Sequence, residues 1–372
     1  MLKIILMGYY GFGNLGDDIL MITAYKVCLD IFPPSEFIVC TESKNPTYIK
    51  KFIPGVRIVN SAANITADMV IHGGGGVFFD FTKSNLKYLV FNYLIKMFGY
   101  RNYARTYHWA KSLIGRPYIR TRSRVGLGIG IGTYTNSSNR FLVEILYLST
   151  FDFVMVRDSQ SYIYAGQYCR SSNIHQATDL AFLVDKWNPQ HYKKMQNAQS
   201  IGLILRDWPT KNHSSVLLKV ASILQSQGLE VKFFAFDSNA DKQYIASVPD
   251  SSVVHIWQPE KMSIDDFIGE LSKCKLVISS RAHGAIISAC LGIPVLCVAI
   301  EPKLARVAEM FKDSTRIIEE PFNEEEIVSI VQDSLRRLPM LEQATLQDVG
   351  RNKEEISRGI RLFHSFVDQR IS

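Results

Sequence analysis

The sequence predicts an α/β protein built of two Rossmann-like domains facing a cleft. Its length is 372 residues, which at roughly 150 residues per domain suggests two domains. Short apolar runs alternate with segments of helical spacing, the pattern of βα units around a mainly parallel sheet. The polar stretch NPQHYKKMQNAQS, Asn188 to Ser200, interrupts that alternation as an interdomain connection. Residues 1–190 are therefore expected to form one domain and residues 200–372 the other.

In the first domain, Lys3 to Met7 is a compact apolar run that ends at a glycine-rich turn, and Ile19 to Leu29 follows with helical spacing. Glu36 to Cys40, Met69 to Ile71, Val125 to Ile131 and Phe151 to Val156 are further strand candidates. The second series is Ile201 to Leu205, Val231 to Phe236, Leu276 to Ser279 and Pro294 to Val298, with amphipathic stretches such as Val216 to Gln225 between them. The charged tail from Asn323 to Ile371 has a helical pattern that would pack back across the domains.

Composition narrows the function classes. Hydrophobic residues are 47% and charged residues 21% of the chain, which excludes a largely disordered protein or a simple repeat array. The net charge of +7 favours anionic ligands without naming one. Six cysteines without a CxxC pair argue against a structural zinc site or a disulfide framework. The N-terminus resembles a core strand rather than a signal peptide, and Ala285 to Ile300 is too short for a bilayer span, so a cytoplasmic protein is expected. Tyr100 to Arg124 is rich in Arg and aromatic residues. It is either a solvated helix face or a surface for acidic sugars, a lipid-linked acceptor or anionic headgroups. No nucleic-acid-binding motif accompanies it.

Three constellations carry chemistry. Gly11 to Gly16 matches GxGxxG between a strand and a helix, yet Asp17 and Asp18 in the first helical turn would repel a pyrophosphate. Asn14 and Asp17 either cap that helix or orient a polyhydroxylated substrate, with Gly13 giving the loop its freedom. Gly73 to Gly76, including Gly74 and Gly75, follow a strand and would expose backbone N–H groups to a ligand. Asp80 nearby is a cap or a proton acceptor, and His72 is a packed strand residue.

In the second domain, Ser279-Ser280-Arg281-Ala282-His283-Gly284 turns a strand into a helix. A helix N-terminus there offers N–H groups to an anion, Arg281 adds a fork suited to phosphate or carboxylate, and His283 can move a proton near neutral pH. Arg206, at another strand end, either completes a clamp on a dianion or pairs with Asp207. Glu301 and Lys303 bring one acid and one base to the loop after Pro294 to Val298, and Asp179 stands at a turn before the connection.

The order of GYYGFGNLGDD, DMVIHGGGG, VRDSQS, ATDLAF and LVISSRAHGAIISACLGIPVLCVAIEPKL, spanning roughly Met1 to Leu304, resembles the polysaccharide pyruvyl transferase family. The resemblance implies a fold like that of GT-B glycosyltransferases. It also implies phosphoenolpyruvate as donor, on the side of the second domain, and a saccharide or lipid-linked oligosaccharide as acceptor, on the side of the first. The donor contacts it implies fall on Arg281, His283 and Arg206. The residue between Arg281 and His283 is commonly Leu in that family and is Ala282 here, which keeps a backbone contact and alters pocket shape. Arg206 and Arg281 would hold phosphate and carboxylate while His283 serves as general acid or base, with Asp17 or Asp80 taking the acceptor's proton. The scheme requires no metal and no cofactor beyond the donor, and it allows peripheral contact with the inner face of a membrane. A nucleotide-sugar glycosyltransferase and a noncatalytic polysaccharide-binding protein are the competing expectations.

Overall fold

The computed structural model describes residues 1–60, 63–78, 119–132, 139–208, 213–312 and 314–371. The chain divides into two compact units. One comprises Met1–Phe12, Leu20–Leu180 and Ile356–Ser372, and the other Gly13–Ile19 and Ala181–Glu355. The expected boundary near residues 190–200 therefore moves to Leu180. The tail, assigned with residues 200–372 and expected to pack back across the domains, gives Ile356–Ser372 to the first unit, and Gly13–Ile19, from the first glycine loop into the helix after it, belongs to the second.

The first unit is an 8-stranded parallel sheet. Its strands are β1 (Leu2–Met7), β2 (Ser35–Thr41), β3 (Arg57–Asn60), β4 (Ile65–Gly73), β5 (Gly76–Phe78), β6 (Ile119–Ile131), β7 (Phe153–Val156) and β8 (Ile174–Gln176). They run in the order β3-β2-β1-β4-β6-β7-β8, with β5 paired to β6. Ile4, Ile5 and Leu6 are consecutive and fully buried, as a central strand covered on both faces requires. The short strands β3 and β8 at the sheet's edges were not among the expected elements.

The end of the Leu338–Ile371 helix closes this unit. Phe363 packs on Phe153 and Phe32, with ring centroids 5.6 and 6.2 Å away. A Cβ at Gly359 would lie 2.3 Å from the Met155 sulfur, so a side chain at that position would lift the helix off the sheet. The cysteines behave as small hydrophobes: Cys28, Cys40, Cys169, Cys274 and Cys297 are buried free thiols, and burial pushes Cys40 and Cys297 up to about 11.

The second unit is a 6-stranded parallel sheet of β9 (Ser200–Ile204), β10 (Val231–Ala235), β11 (Val254–Ile256), β12 (Cys274–Ser279), β13 (Val295–Val298) and β14 (Thr315–Ile318). Its order is β11-β10-β9-β12-β13-β14, the doubly wound arrangement in which winding reverses between the first and fourth strands. Ile201, Leu203, Leu276 and Ile278 pack with Leu217, Val220 and Leu224 of the His213–Ser226 helix in one core. Each such fully buried aliphatic side chain contributes about 1.5–3 kcal/mol. Ser263 and Asp266 form a reciprocal capping box at the start of the Ile264–Leu271 helix. No described helix is long and apolar enough to cross a membrane.

His72 is packed within β4, as expected, among the rings of Phe78, Tyr147 and Phe151, and its Nε2 lies 2.9 Å from the Tyr147 hydroxyl. Burial, assisted by the Arg124 charge, lowers its pKa from 6.5 to about 3. The folded protein keeps the ring neutral where the unfolded chain takes up a proton. Stability from this group is present above pH 6.5 and is lost as pH falls toward about 3, by up to about 1.4 kcal/mol per pH unit. Urea unfolding between about pH 4 and pH 7 should show a shallower acid limb for His72→Gln than for the natural protein, and equal slopes would refute this assignment.

Candidate functional site

The site grows from the winding reversal of the second unit. β9 and β12 are neighbours with Ile204 opposite Ser279, so the segments leaving their carboxyl ends emerge side by side. Ser280 ties them together: its N–H donates to the Ile204 carbonyl at 2.9 Å, and its Oγ accepts from the Arg206 N–H at 2.8 Å. Ser279 turns the chain, its Oγ accepting from Arg281 N at 3.1 Å and donating to Arg281 O at 2.8 Å. The Ala282–Cys290 helix begins there, with Arg281 in extended conformation at its N-cap and no side-chain cap bond.

Gly284 permits the tight fit of this helix, because a Cβ would lie 2.5 Å from Ser279 Oγ and 2.9 Å from Ile204 Cγ2. The helix start is thus pressed onto the two strand ends, and its N-cap residue makes no side-chain cap bond. Such a terminus favours negative charge. Ala282 is 5% exposed at its first position.

Arg281 and His283, each 8% exposed, flank this turn. The Arg281 Nε donates to Asp241 Oδ2 at 3.1 Å and its Nη2 donates to Asp241 Oδ1, a two-point pair with a fully buried carboxylate. Burial pushes the Asp241 carboxyl upward from its ordinary value, and Asp237 adds to this while Arg281 opposes it. His283 lies against the chain at Gly16, where a Cβ would come within 2.2 Å of Nδ1 and 2.6 Å of the histidine's own Cβ.

The glycine loop that supplies Gly16 is fastened to the end of β10. Asn14 and Asp237 form an antiparallel bridge, and Leu15 N donates to Phe236 O at 3.0 Å. Of the two readings of Asn14, the capping one is observed: its Oδ1 accepts from Gly16 N at 3.0 Å and from Asp17 N at 3.4 Å. Gly13 has φ 75°, a conformation natural to glycine. Asp17 is half-buried. Asp18 is the fully buried acid of the pair and accepts from Trp257 Nε1 at 2.9 Å. With His283 against Gly16 and Asp18 buried in the first turn, this helix start is no pyrophosphate site.

Arg206 lies across the Trp208 ring, 5.1 Å from its centroid, and its Nη1 is 3.3 Å from Glu301 Oε1. The alternative partner, Asp207, is engaged elsewhere, accepting from Gln243 N at 2.8 Å and Tyr244 N at 2.9 Å. Glu301 therefore joins the site through Arg206. It also stands at the N-cap of the Pro302–Met310 helix. The side chain of Lys303 lies outside the described residues. His213, absent from the sequence expectations, is fully buried with Nε2 2.7 Å from the Arg206 carbonyl oxygen, a contact that helps fix the strand-end turn.

In the first unit the corresponding reversal, between β1 and β4, is filled by protein. Tyr10 is 1% exposed, and its hydroxyl donates to the Gly73 carbonyl. Its ring lies where a Cβ at Gly8 would be, and its hydroxyl oxygen lies 2.6 Å from where a Cβ at Gly73 would be. The Gly74 N–H, expected to meet a ligand, donates to Leu127 O at 2.7 Å, and the Gly75 carbonyl accepts from Gly130 N at 2.8 Å. Gly74 and Gly75 thus stitch the sheet, at φ 71° and 78°. Asp179 is also structural, buried and paired with Arg157 at 3.2 Å. Asp80 and the Tyr100 to Arg116 part of the cationic segment lie outside the described residues. The remaining cations Arg120, Arg122 and Arg124 are on β6.

The sequence model of polysaccharide pyruvyl transferase matches residues 14–302, from the capping Asn14 through the Glu301 turn. The chain belongs to the polysaccharide pyruvyl transferase family. Members of the polysaccharide pyruvyl transferase family are transferases of polysaccharide biosynthesis, and the family implies a saccharide acceptor. No curated protein matches the chain. Among solved structures, a Listeria monocytogenes protein described as a UDP-N-acetylglucosamine 2-epimerase is similar at 12% identity and TM-score 0.62, over 99% of this chain and 97% of its own. S. aureus MnaA, solved with UDP, is similar at 11% identity and TM-score 0.60, over 98% and 97%. Anabaena Alr3699/HepE, solved with UDP-glucose, matches at 11% identity and TM-score 0.59, over 98% and 100%. These likenesses establish the fold, which is GT-B-like.

Replacing Gly16 with Ala places a methyl group 2.2 Å from His283 Nδ1 and 2.6 Å from its Cγ, closer than the two can sit. Overpacking of this kind costs about 1–3 kcal/mol. Gly16→Ala is expected to lower the melting temperature and to reduce transferase turnover at least about tenfold by displacing the imidazole. Thermal unfolding and an acceptor-dependent turnover assay on the same preparation check both, and unchanged turnover would count against a working role for His283.

Proposed function

We propose that the protein transfers the pyruvyl group of phosphoenolpyruvate to two hydroxyls of a saccharide, forming a ketal and releasing phosphate. The observation that carries this reading is the position of Arg281 and His283 at the helix start that follows β12, with Arg206 on the adjacent strand end at the β9/β12 reversal. A small dianion suits such a set: the guanidinium groups and helix N–H groups meet phosphate and carboxylate oxygens, and the imidazole handles a proton beside them.

The chemistry balances with two hydroxyls. His283 delivers a proton to the donor's methylene carbon, which becomes the methyl group. The first sugar hydroxyl attacks the resulting electron-poor carbon, and its proton restores the imidazole. The C–O bond to phosphate breaks as the second hydroxyl adds, and that second proton leaves with the phosphate. Arg281 and Arg206 stabilise the departing charge. Asp17, half-buried on the glycine loop, is the described candidate for relaying the second hydroxyl's proton to the departing phosphate. We take the acceptor to be a polysaccharide unit or its lipid-linked precursor, met at the inner face of the membrane. Arg122, 88% exposed on β6, belongs to the cationic segment suited to an anionic carrier.

Phosphoenolpyruvate should raise the melting temperature in proportion to the logarithm of its concentration above Kd, whereas protection by nucleotide sugars alone would overturn the reading. His283→Ala, if folded, is expected to lose about 10²- to 10⁴-fold in phosphate release with little change in donor protection. Arg206→Ala should act mainly on donor affinity. Phosphate release by His283→Ala at the natural rate would remove that residue from proton transfer.

A further inference from the structure

We infer that Asp241 is the positioning residue of the anion site: it fixes the plane of Arg281, leaves one guanidinium fork for the ligand, and holds down the site's affinity for free phosphate. This deepens the proposed pyruvyl-transfer reading and rests on it for the identity of the donor.

A guanidinium offers five N–H donors in one plane, arranged as a lateral fork from Nε and Nη2 and a distal fork from Nη1 and Nη2. The lateral fork is taken by Asp241, with Nε on Oδ2 at 3.1 Å and Nη2 on Oδ1. The Nη1 donors have no hydrogen-bond partner among the described residues. The distal fork therefore remains, and two parallel N–H donors fit two oxygens of a phosphate or carboxylate.

Asp241 is itself held. Its Oδ2 accepts from Asp237 N at 3.1 Å, and Asp237 Oδ1 accepts from Asn239 N at 3.0 Å and Ala240 N at 2.9 Å. The carboxylate is fully buried at the end of a turn whose backbone is already fixed, so the guanidinium plane has little freedom to rotate.

The pair also sets the charge. Beside a carboxylate, Arg281 presents directed donors with its net charge offset, so an incoming anion is bound by geometry more than by a bare cation. That arrangement suits a transferase whose product is itself an anion: a site with uncompensated Arg281 would retain inorganic phosphate and block the next donor. The sequence placed Asp241 in the polar run SNADKQY, where nothing marks it as a partner of Arg281.

Inorganic phosphate is the probe that separates this inference from the identity of the donor. Isothermal titration of the full chain with phosphate should show Asp241→Asn binding about tenfold more tightly than the natural protein, as expected for removing one negative charge several ångströms from the anion. In the same variant, kcat/KM for phosphoenolpyruvate-dependent turnover should fall about 10- to 100-fold because the fork is no longer held. Arg281→Lys keeps the charge but has no distal fork, and should bind phosphate at least about tenfold more weakly. Circular dichroism verifies folding of each variant. Unchanged or weaker phosphate binding by folded Asp241→Asn overturns the inference, as does an absence of phosphate binding by the natural protein. Should Asp241→Asn fail to fold, Arg281→Lys decides: natural phosphate affinity in that variant overturns it. If the phosphate titrations follow expectation while phosphoenolpyruvate gives no turnover, the Asp241 assignment stands and the pyruvyl-donor reading falls.

Discussion

A histidine ring resting on a glycine is the contact around which the site is organised. His283 leaves the first turn of a helix that is pressed onto two strand ends, and it meets Gly16 where no side chain fits between them. The imidazole of the proposed reaction is thereby confined by backbone, which cannot swing aside as a flexible side chain would. The same contact explains why a few residues of the N-terminal glycine loop fold with the second unit. Asn14 bridged to Asp237 and Leu15 bonded to Phe236 carry Gly16 to its place, and the Asp18–Trp257 bond anchors the turn that follows. The glycine-rich motif near the N-terminus therefore builds one wall of the second unit's site.

The two sheets have matching winding reversals and fill them in opposite ways. Between β1 and β4 the space is taken by Tyr10, whose ring covers Gly8 and whose hydroxyl is bonded to the Gly73 backbone. Between β9 and β12 the strand ends are joined by Ser280 and carry Arg206, Arg281 and His283. A parallel sheet offers a ligand crevice at such a reversal, but only where side chains leave it open and supply charge. The same winding reversal thus yields one packed end and one end bearing ionic groups, and the difference lies in a handful of residues beyond the strands.

The fold was legible because buried parallel strands are continuous apolar runs: Ile201 to Leu205 and Leu276 to Ser279 mark β9 and β12 to within a residue or two, with β12 extending back to Cys274. Edge strands such as β3 and β8 carry weaker signals, since half-exposed residues break the run. Within the site, Arg281, His283 and Arg206 were readable from their position after strands. Their partners were not. Asp241, Glu301 as a pair for Arg206, and Asp18 rather than Asp17 as the buried acid depend on which strand ends become neighbours, and sheet order is invisible in a local pattern. The glycines misled for a related reason: Gly74 and Gly75 have the backbone freedom expected of a ligand loop, but the neighbouring β6 takes the Gly74 N–H and donates Gly130 N–H to the Gly75 carbonyl.

Energetics bear on why a carboxylate should be buried at Arg281 at all. Desolvating two charges offsets most of their attraction, so a buried pair adds little net stability compared with apolar groups of similar size, while loss of one partner costs about 3–5 kcal/mol. The upward push of burial on the Asp241 carboxyl is the same desolvation seen from the acid's side. An interaction that stabilises the fold so little is poorly explained as a structural fastener. It is better explained by what it fixes: a guanidinium with one edge turned to a buried acid and the other held in a single plane at the strand ends. Apolar replacements could stabilise this region equally well, but none could present two parallel N–H donors to an anion from a position already set before the ligand arrives.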